Sequence, residues 1–204
     1  MNTEDTRRVL VAVCDAVLAS EDLLTQADIA IGDGDHGVGM SRGFGAARQD
    51  LEEKNFASIA ECLKCVGFAL LSKSGGASGA IFGTFFTAAS QEAEGEYEIT
   101  RQVFQRILDT GASAVAARGG AAPGDKTMLD ALHPARVAAG DADSLAEALS
   151  AAAEAAEAGA GSTRKMIAKH GKARSLGERA LGHPDPGAIT FSIIMRALVD
   201  SSQD

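Results

Sequence analysis

The sequence is poor in aromatic side chains, and its basic side chains do not outnumber its acidic ones. Its 204 residues include no tryptophan, one tyrosine and eight phenylalanines, so the core must be built mainly from aliphatic side chains. Its 19 lysines and arginines are outnumbered by 28 aspartates and glutamates, which gives a net charge of −9. An acidic chain of this kind repels polyanions, which argues against nucleic acid as a partner.

Cysteine is too scarce for a disulfide framework, since only Cys14, Cys62 and Cys65 are present. Cys62 and Cys65 form a C-x-x-C pair inside a helical pattern, and without a second pair we expect structural cysteines rather than a zinc or redox site. No apolar run approaches the roughly 18 residues of a membrane span. No charged and then apolar leader opens the chain, so we expect a cytoplasmic protein without a membrane segment.

Sustained alternation of apolar and polar residues, the pattern of strands, is also missing. Apolar residues instead recur every three or four positions over most of the chain, which indicates amphipathic helices. The sequence therefore predicts a single all-α domain over residues 1–204, a bundle or barrel of about eight helices. The predicted helices cover residues 4–26, 37–51, 57–72, 81–93, 100–118, 126–132, 144–170 and 188–199.

Details at the helix ends and in their interiors give further expectations. Asp125 stands where an N-cap belongs, and Asp130 is expected to be an ordinary helix acid. Pro134 is expected to kink or end its helix. Gly159 and Gly161 are expected to loosen the long alanine-rich helix that follows Ser144.

Three carboxylates, Asp28, Asp33 and Asp35, fall within eight residues, among glycines at 32, 34 and 37. Two unit charges about 4 Å apart repel by roughly 4 kcal/mol at an effective dielectric of 20. Such a loop needs a cation or must spread its carboxylates into water. Hard oxygen ligands suit Mg²⁺ or Ca²⁺, which favours a metal loop that binds a phosphorylated ligand. A solvated acidic turn with an aspartate as N-cap remains the alternative.

Three familiar motifs do not explain this loop. Residues 32–37 match G-x-G-x-x-G, but a helical pattern rather than a strand precedes them, so a dinucleotide-binding fold is excluded. The EF-hand pattern fails because Gly37 and Phe44 occupy ligand positions. A P-loop would need a Gly-Lys-Ser/Thr end, which the chain does not contain.

Two further loops carry signals of anion binding. Residues 72–80 are glycines and small hydroxyl residues that lead into a helix, which is typical of a phosphate seat or, equally, of a close helix crossing. Residues 171–187 lack periodicity over 17 positions and include Lys172, Arg174 and Arg179. A loop of this length in a compact domain usually has a function, and we expect it to become ordered on a bound polyphosphate.

Together these loops resemble the L subunits of the dihydroxyacetone kinase family in order and spacing, over nearly the whole chain. The resemblance rests on residues 32–37, 75–79, 124–128, 176–179 and 182–187. It implies an antiparallel barrel of eight helices with a nucleotide at one rim. It also implies two Mg²⁺ ions held by Asp28, Asp33 and Asp35 against the phosphates of ADP or ATP.

The same resemblance implies a set of site residues. His36 is expected to bond phosphate or to orient an aspartate, and with the three aspartates it forms the expected catalytic group. His183 is expected to fix the 171–187 segment, whereas His133 and His170 are expected to be structural. Many bacterial members carry asparagine where this chain has Gly39, and arginine where it has Lys172. The implied nucleotide contacts are His36, Gly37, Val38, Gly39, Ala77, Ser78, Gly119, Met128, Lys172, Asp185, Pro186 and Gly187.

In this family the L subunit delivers phosphate to a short ketose held covalently by a histidine of a separate K subunit. Two phosphate sources stay open: ATP as a turnover substrate, or resident ADP recharged by a phosphohistidine protein of the sugar phosphotransferase system. A nucleotide-binding module like that of fatty-acid kinases, without ketose specificity, is the second function considered. A purely structural helical bundle is the third, and a homodimer is a further possible assembly.

Overall fold

The computed structural model describes residues 1–202, and every regular element in that range is helical. A π-helical turn at Leu70–Ser74 extends α4, and 3₁₀ turns occupy Thr163–Lys165 and Lys172–Ala180. The predicted all-α class is confirmed. The α-helices of residues 1–202 are α1 (Thr3–Ala19), α2 (Glu21–Ile31), α3 (His36–Glu53), α4 (Ile59–Ala69), α5 (Gly76–Glu92), α6 (Arg101–Gly119), α7 (Leu129–Gly140), α8 (Leu145–Ser162) and α9 (Pro186–Ser202).

The helices run up and down and close into a barrel. α1 and α2 both pack against α3 and α9 and so form one leg, each later helix packs on the next, and α9 returns to α1. Counted in this way, residues 1–202 form the eight legs that the sequence and the resemblance lead us to expect. Because the direction alternates, α3, α5, α7 and α9 all begin at one rim, where the loops with unusual composition lie.

Four phenylalanine rings form one cluster in the barrel interior. Phe85 contacts Phe86 and Phe191 edge to face, with ring centroids 5.5 and 5.6 Å apart, and Phe86 contacts Phe44 at 6.2 Å. These pairs join α3, α5 and α9, and each contributes about 0.5–1.5 kcal/mol beyond area burial. The rest of the core is aliphatic, as the composition requires.

The cysteines agree with the structural role expected for them, with one exception. Cys14 and Cys62 are buried and free, while Cys65 is only half-buried. Within residues 1–202, no helix combines the length and the hydropathy that crossing a bilayer requires.

Several helix boundaries differ from those predicted. The segment 4–26 is two helices, because Ser20 (φ −101°, ψ 8°) leaves the helical conformation and acids at Glu21 and Asp22 start a new first turn. α5 begins at Gly76, five residues before its predicted start, so Ala77 and Ser78 belong to its first turn. α9 likewise begins at Pro186, the position where proline suits a helix start.

Pro134 does not end its helix, since α7 continues through it to Gly140. Gly159 and Gly161 likewise do not loosen α8, which runs unbroken to Ser162. Proline lacks the N–H that would bond the carbonyl of Asp130 one turn earlier. α8 passes that carbonyl so closely that a Cβ at Gly159 would overlap with it and would lie 2.9 Å from Cγ of Pro134.

We expect Gly159→Ala to destabilise the protein by about 1–3 kcal/mol, the cost of overpacking a tight contact. The added methyl group must displace the Asp130 carbonyl, which is backbone and cannot move away by a rotamer change. The measurement is the free energy of unfolding in urea.

Gly161→Ala is the matched control in the same helix, since a Cβ there meets nothing within 4 Å. Alanine favours helix over glycine by up to about 1 kcal/mol, so this variant should be at least as stable as the wild type. Equal stability of both variants would show that the α7–α8 crossing is not tight.

Candidate functional site

Three carboxylates meet where α2 ends and α3 begins. Asp28 lies in the last turn of α2, and Asp33 and Asp35 lie in the connection to α3. One oxygen from each lies within 4.8 Å of the others. Asp28 is buried, whereas Asp33 and Asp35 are exposed towards the rim. A hard divalent cation fits this donor set, because it satisfies oxygen ligands whose mutual repulsion would otherwise oppose their approach.

The glycines of this segment permit the arrangement. A Cβ at Gly32 would overlap with the carboxylate of Asp28, so the chain can pass over that carboxylate only without a side chain. A Cβ at Gly37 would overlap with the Thr25 hydroxyl and the Glu21 carbonyl, so Gly37 lets the start of α3 lie directly on α2. Gly32 and Gly37 therefore stand among the three aspartates for steric reasons, independent of any metal ion.

His36 lies behind the carboxylates and is only 4% exposed. Its backbone N–H donates to Oδ2 of Asp28 at 3.1 Å. Nε2 lies 2.8 Å from the Thr190 hydroxyl, and Nδ1 lies 2.8 Å from the Ser78 hydroxyl. Burial lowers the pKa of His36 to about 4, so the ring is neutral at neutral pH.

These contacts determine the tautomer of His36. The Thr190 hydroxyl donates its hydrogen to the Pro186 carbonyl at 3.0 Å, so it accepts from Nε2–H of His36. Nδ1 of His36 is then an acceptor, and Ser78 donates to it. The bond to Asp28 comes from the backbone of His36, and both ring nitrogens are bonded to hydroxyl groups of the protein, so the role of the His36 side chain stays a prediction.

A cavity of about 390 Å³ opens beside the carboxylates, a size suited to a small ligand. The starts of α3, α5 and α9 line it, with Ala77 at the first turn of α5 and Pro186 at that of α9. The unpaired N–H groups and the positive dipole end of a helix start favour anions, so this wall is suited to phosphate. Asp185 caps α9 by accepting from Ala188 N–H at 2.7 Å, and burial raises its pKa to about 7.

The other half of the cavity is apolar. Side chains from α5, α6 and α7 line it, among them Ile81, Val115, Met128 and Leu129. These side chains are mainly aliphatic, and Phe82 of α5 also lines the cavity. Of these residues only Met128 was predicted, through the resemblance, because apolar residues at helix ends look the same whether they face a cavity or the core.

Most predicted contact residues line this cavity, but three do not. Gly37 and Gly39 are buried in helix contacts, and Val38 is 44% exposed on the outer surface. Gly39 faces Ser74, whose carbonyl oxygen would lie 3.0 Å from a Cβ at position 39. The predicted residues that line the cavity are Asp28, Asp33, Asp35, His36, Ala77, Ser78, Gly119, Met128, Lys172, Asp185, Pro186 and Gly187.

Lys172 is the basic group that reaches the carboxylates. It begins the 3₁₀ turns of the 171–187 segment, and its ammonium group pairs with Oδ2 of Asp33 and lies 3.5 Å from Oδ2 of Asp35. The expected loop is thus partly helical and already contacts the acidic cluster. A lysine in this position competes with a metal ion for the same oxygens.

Three residues near the cavity differ from expectation. Asp125 does not cap a helix, since α7 begins at Leu129; it pairs with Lys169 and His170 instead. The hydrogen bond from Lys169 is the main reason that the pKa of Asp125 falls to about 2. Asp130, expected to be an ordinary helix acid, is buried and accepts from Gly124 N–H at 2.5 Å and from Thr127 N–H at 2.8 Å. His170, expected to be structural, lines the cavity. These roles depend on contacts between distant segments.

Comparison with known proteins agrees with this geometry. The family model of the DAK2 domain matches residues 30–200. The chain is 39% identical over 196 residues to the ADP-binding subunit of the PEP-dependent dihydroxyacetone kinase of Escherichia coli K12, covering 94% of this chain and 93% of that subunit. It is 42% identical over 185 residues to the ADP-binding subunit of PEP-dependent dihydroxyacetone kinase 2 of Listeria innocua, covering 88% and 86%.

A solved structure shares the fold. The dihydroxyacetone kinase from C. freundii, in complex with AMP-PNP and Mg²⁺, aligns with a TM-score of 0.76 and 29% identity. The alignment covers 96% of this chain and 33% of that longer chain.

We expect Asp33→Asn to weaken Mg²⁺-dependent nucleotide binding by about tenfold or more, because even outer groups of metal sites contribute that much. Helix content should be unchanged, since Asp33 is exposed at the rim. Calorimetric titration with Mg-ADP is the measurement. Asp22→Asn, at an exposed position of α2, is the control that changes net charge equally. Equal Mg-ADP affinity of the Asp33 variant and the wild type would contradict the metal assignment.

We expect Lys172→Met to tighten Mn²⁺ or Mg²⁺ binding to the nucleotide-free protein by up to about fivefold, the scale of an exposed ion pair. The variant removes a cation that pairs with Asp33 and Asp35. Lys165→Met serves as the control, because Lys165 is exposed and forms no ion pair with the carboxylates. Free Mn²⁺ measured by electron paramagnetic resonance gives the affinity, and an unchanged or weaker affinity would disprove the competition.

Proposed function

The chain belongs to the DAK2 domain family, as a nucleotide-binding subunit of the dihydroxyacetone kinase type, and we propose that it delivers a phosphoryl group to a ketose on a separate subunit. The observation that carries the proposal is the juxtaposition at one rim. A cluster of three carboxylates, the starts of α3, α5 and α9 and an apolar pocket share one cavity. A nucleotide needs these three surfaces for its metal, its phosphates and its base.

Each surface of the cavity has a chemical role in this proposal. Asp28, Asp33 and Asp35 hold Mg²⁺, two ions by the resemblance, and the metal neutralises phosphate charge when bound. The first turn of α5, with Ala77 and Ser78, donates to phosphate oxygens. Lys172 adds a positive charge from the segment that covers the site. Phosphoryl transfer depends mainly on such positioning and charge neutralisation rather than on an acid–base group of the protein.

His36 acts indirectly in this scheme. Its backbone bonds Asp28, and its ring receives the Ser78 hydroxyl hydrogen. Ser78 therefore presents lone pairs rather than a hydrogen to the cavity, and its backbone N–H remains the donor for an anion. His36 thus links the metal ligands of α2 to the phosphate-binding start of α5.

ADP is proposed as the resident phosphate carrier. The E. coli and L. innocua relatives are named as ADP-binding subunits of PEP-dependent kinases, which supports this choice. The carrier would be recharged by a phosphohistidine protein of the sugar phosphotransferase system. ADP that co-purifies at one equivalent supports this scheme, whereas ready loss of ADP and steady ATP consumption would favour ATP as a turnover substrate.

The other assemblies have less support. The proposed partner is a K-type subunit that binds dihydroxyacetone or a related short ketose, and the proposed location is the cytoplasm. A fatty-acid-kinase-like module without ketose specificity would use the same nucleotide cavity but a different acceptor. A homodimer and a purely structural bundle have no specific observation in their favour, and the latter leaves the carboxylate cluster without a purpose.

We expect the isolated protein to show no dihydroxyacetone kinase activity, and activity to appear when a K-type subunit and a phosphate source are added. The reason is that, on the proposed function, the cavity binds the metal, the phosphates and the base of the nucleotide, and the ketose is bound by the partner subunit. Product formation in a coupled assay for dihydroxyacetone phosphate is the measurement. The Asp35→Asn protein with the same partner is the control for contaminating kinase. Steady turnover by the chain alone would contradict the division between subunits.

A further inference from the structure

Lys126 is held in an unusual conformation. It is the non-glycine residue with a positive φ (62°) in residues 1–202, and it is only 2% exposed. A left-handed backbone and a buried ammonium group are both unfavourable for lysine, and burial lowers its pKa. Such a residue persists only where its surroundings fix it, and such positions cluster at functional sites.

The contacts of Lys126 fix the point where the 171–187 segment ends. Its ammonium group donates to the carbonyls of Thr163 and His183, each at 2.6 Å. The Thr163 hydroxyl in turn accepts from Asp185 N–H at 2.9 Å. Lys126 therefore ties the end of α8 to the residues that open α9, which line the cavity.

The contacts of the preceding residue fix the point where the same segment begins. Asp125 accepts from Nζ of Lys169 at 2.7 Å and pairs with Nε2 of His170 at 3.2 Å. Its backbone carbonyl accepts from Lys169 N–H at 3.1 Å. Asp125 is itself held by Ala122 N–H, which donates to Oδ2 at 2.8 Å.

The chain between these two points, residues 171–182, has far fewer ties to the barrel. Ala180 is the buried residue in this stretch, and Leu181 is 41% exposed. Its polar ties are Lys172 with Asp33 and Asp35, and Arg164 with Gly182. We call residues 171–182 the lid and the adjacent pair Asp125–Lys126 the clasp.

We propose that the clasp positions both ends of the lid, and that Asp125 and Lys126 thereby govern how long nucleotide stays bound without contacting the reacting phosphate. This inference rests on the proposed function. A loop with fixed ends has fewer open conformations than one with a free end, so it closes at a lower entropic cost. Asp125 and Lys126 can thus control how the lid closes over a nucleotide that the carboxylates and the start of α5 bind.

Asp125 separates the clasp proposal from a simpler explanation, namely that Lys126 contacts the nucleotide directly. Lys126 lines the cavity, so a change there could act through direct contact with nucleotide. Asp125 does not line the cavity, and its partners are the residues just before the lid. An effect of Asp125 on nucleotide release must therefore pass through its partners, and because His170 lines the cavity, hydrogen exchange in the lid is needed to show that the lid itself opens.

The test compares Asp125→Asn and Lys126→Met with Lys165→Met, an exposed lysine outside the clasp. Dissociation of a fluorescent ADP analogue with Mg²⁺ is followed by stopped flow on the folded fraction of each protein. Both clasp variants should release the analogue about tenfold faster, the effect of losing about 1.4 kcal/mol, and the control should not. The affinity of the nucleotide-free protein for Mn²⁺ should rise by no more than the roughly fivefold expected for Lys172→Met, because the clasp acts on the carboxylates only through Lys172.

Hydrogen exchange supplies the readout that a general loss of stability would not give. With Mg-ADP bound, amides of residues 171–185 should exchange faster in the clasp variants, while those in α3 and α5 keep wild-type rates. Release rates within twofold of the wild type for Asp125→Asn would overturn the proposal. If Lys126→Met does not fold, Asp125→Asn alone decides.

A failure of the proposed function would look different. If the wild type binds no Mg-ADP, the nucleotide assignment is wrong, and the clasp is then judged on the ligand-free protein. Loss of protection at the Lys169 and His170 amides in Asp125→Asn, and at the Asp185 amide in Lys126→Met, would support it. Equal exchange in all three proteins would overturn it.

Discussion

The repulsion among three carboxylates within 4.8 Å of one another is the constraint around which this rim is built. Each neighbouring feature reduces that repulsion or makes use of it. Asp28 accepts a backbone N–H at the start of α3, Lys172 pairs with Asp33, and the helix starts contribute positive dipole ends. Because the chain has a net charge of −9, its surface as a whole does not attract further anionic groups. The acidic cluster must therefore be stabilised by neighbouring positive charges and hydrogen-bond donors.

The barrel supplies that local stabilisation through its topology. Alternating legs bring four helix starts to one rim, so the positive ends of helix dipoles add to the charge of Lys126 and Lys172, which line the cavity. Close crossings at Gly37 and Gly159 let the legs approach until backbone meets backbone. The fold and the site are therefore coupled: a chain that packed these helices less closely would spread the carboxylates and the phosphate seat apart.

Features that are local in sequence could be predicted, and features that depend on distant contacts could not. The spacing of Asp28, Asp33 and Asp35 and the helical periodicity are local, and both appear in the structure as the expected cluster and helices. The pairing of Asp125 with Lys169 joins segments 44 residues apart, and local pattern favoured an N-cap instead. Burial of Lys126 ran against its residue type, and only its tertiary acceptors explain it.

Lys172 connects the lid to the metal ligands through a shared charge. On the proposed function, a divalent cation and the Lys172 ammonium compete for Asp33 and Asp35, so a bound metal displaces Lys172 from its partners. The clasp keeps both lid ends in place, which confines Lys172 to the neighbourhood of the cavity. Nucleotide phosphates are then the nearest anions that it can contact. On this proposal, metal binding releases Lys172 from Asp33 and Asp35, and Lys172 then pairs with the nucleotide phosphates and holds the lid over them.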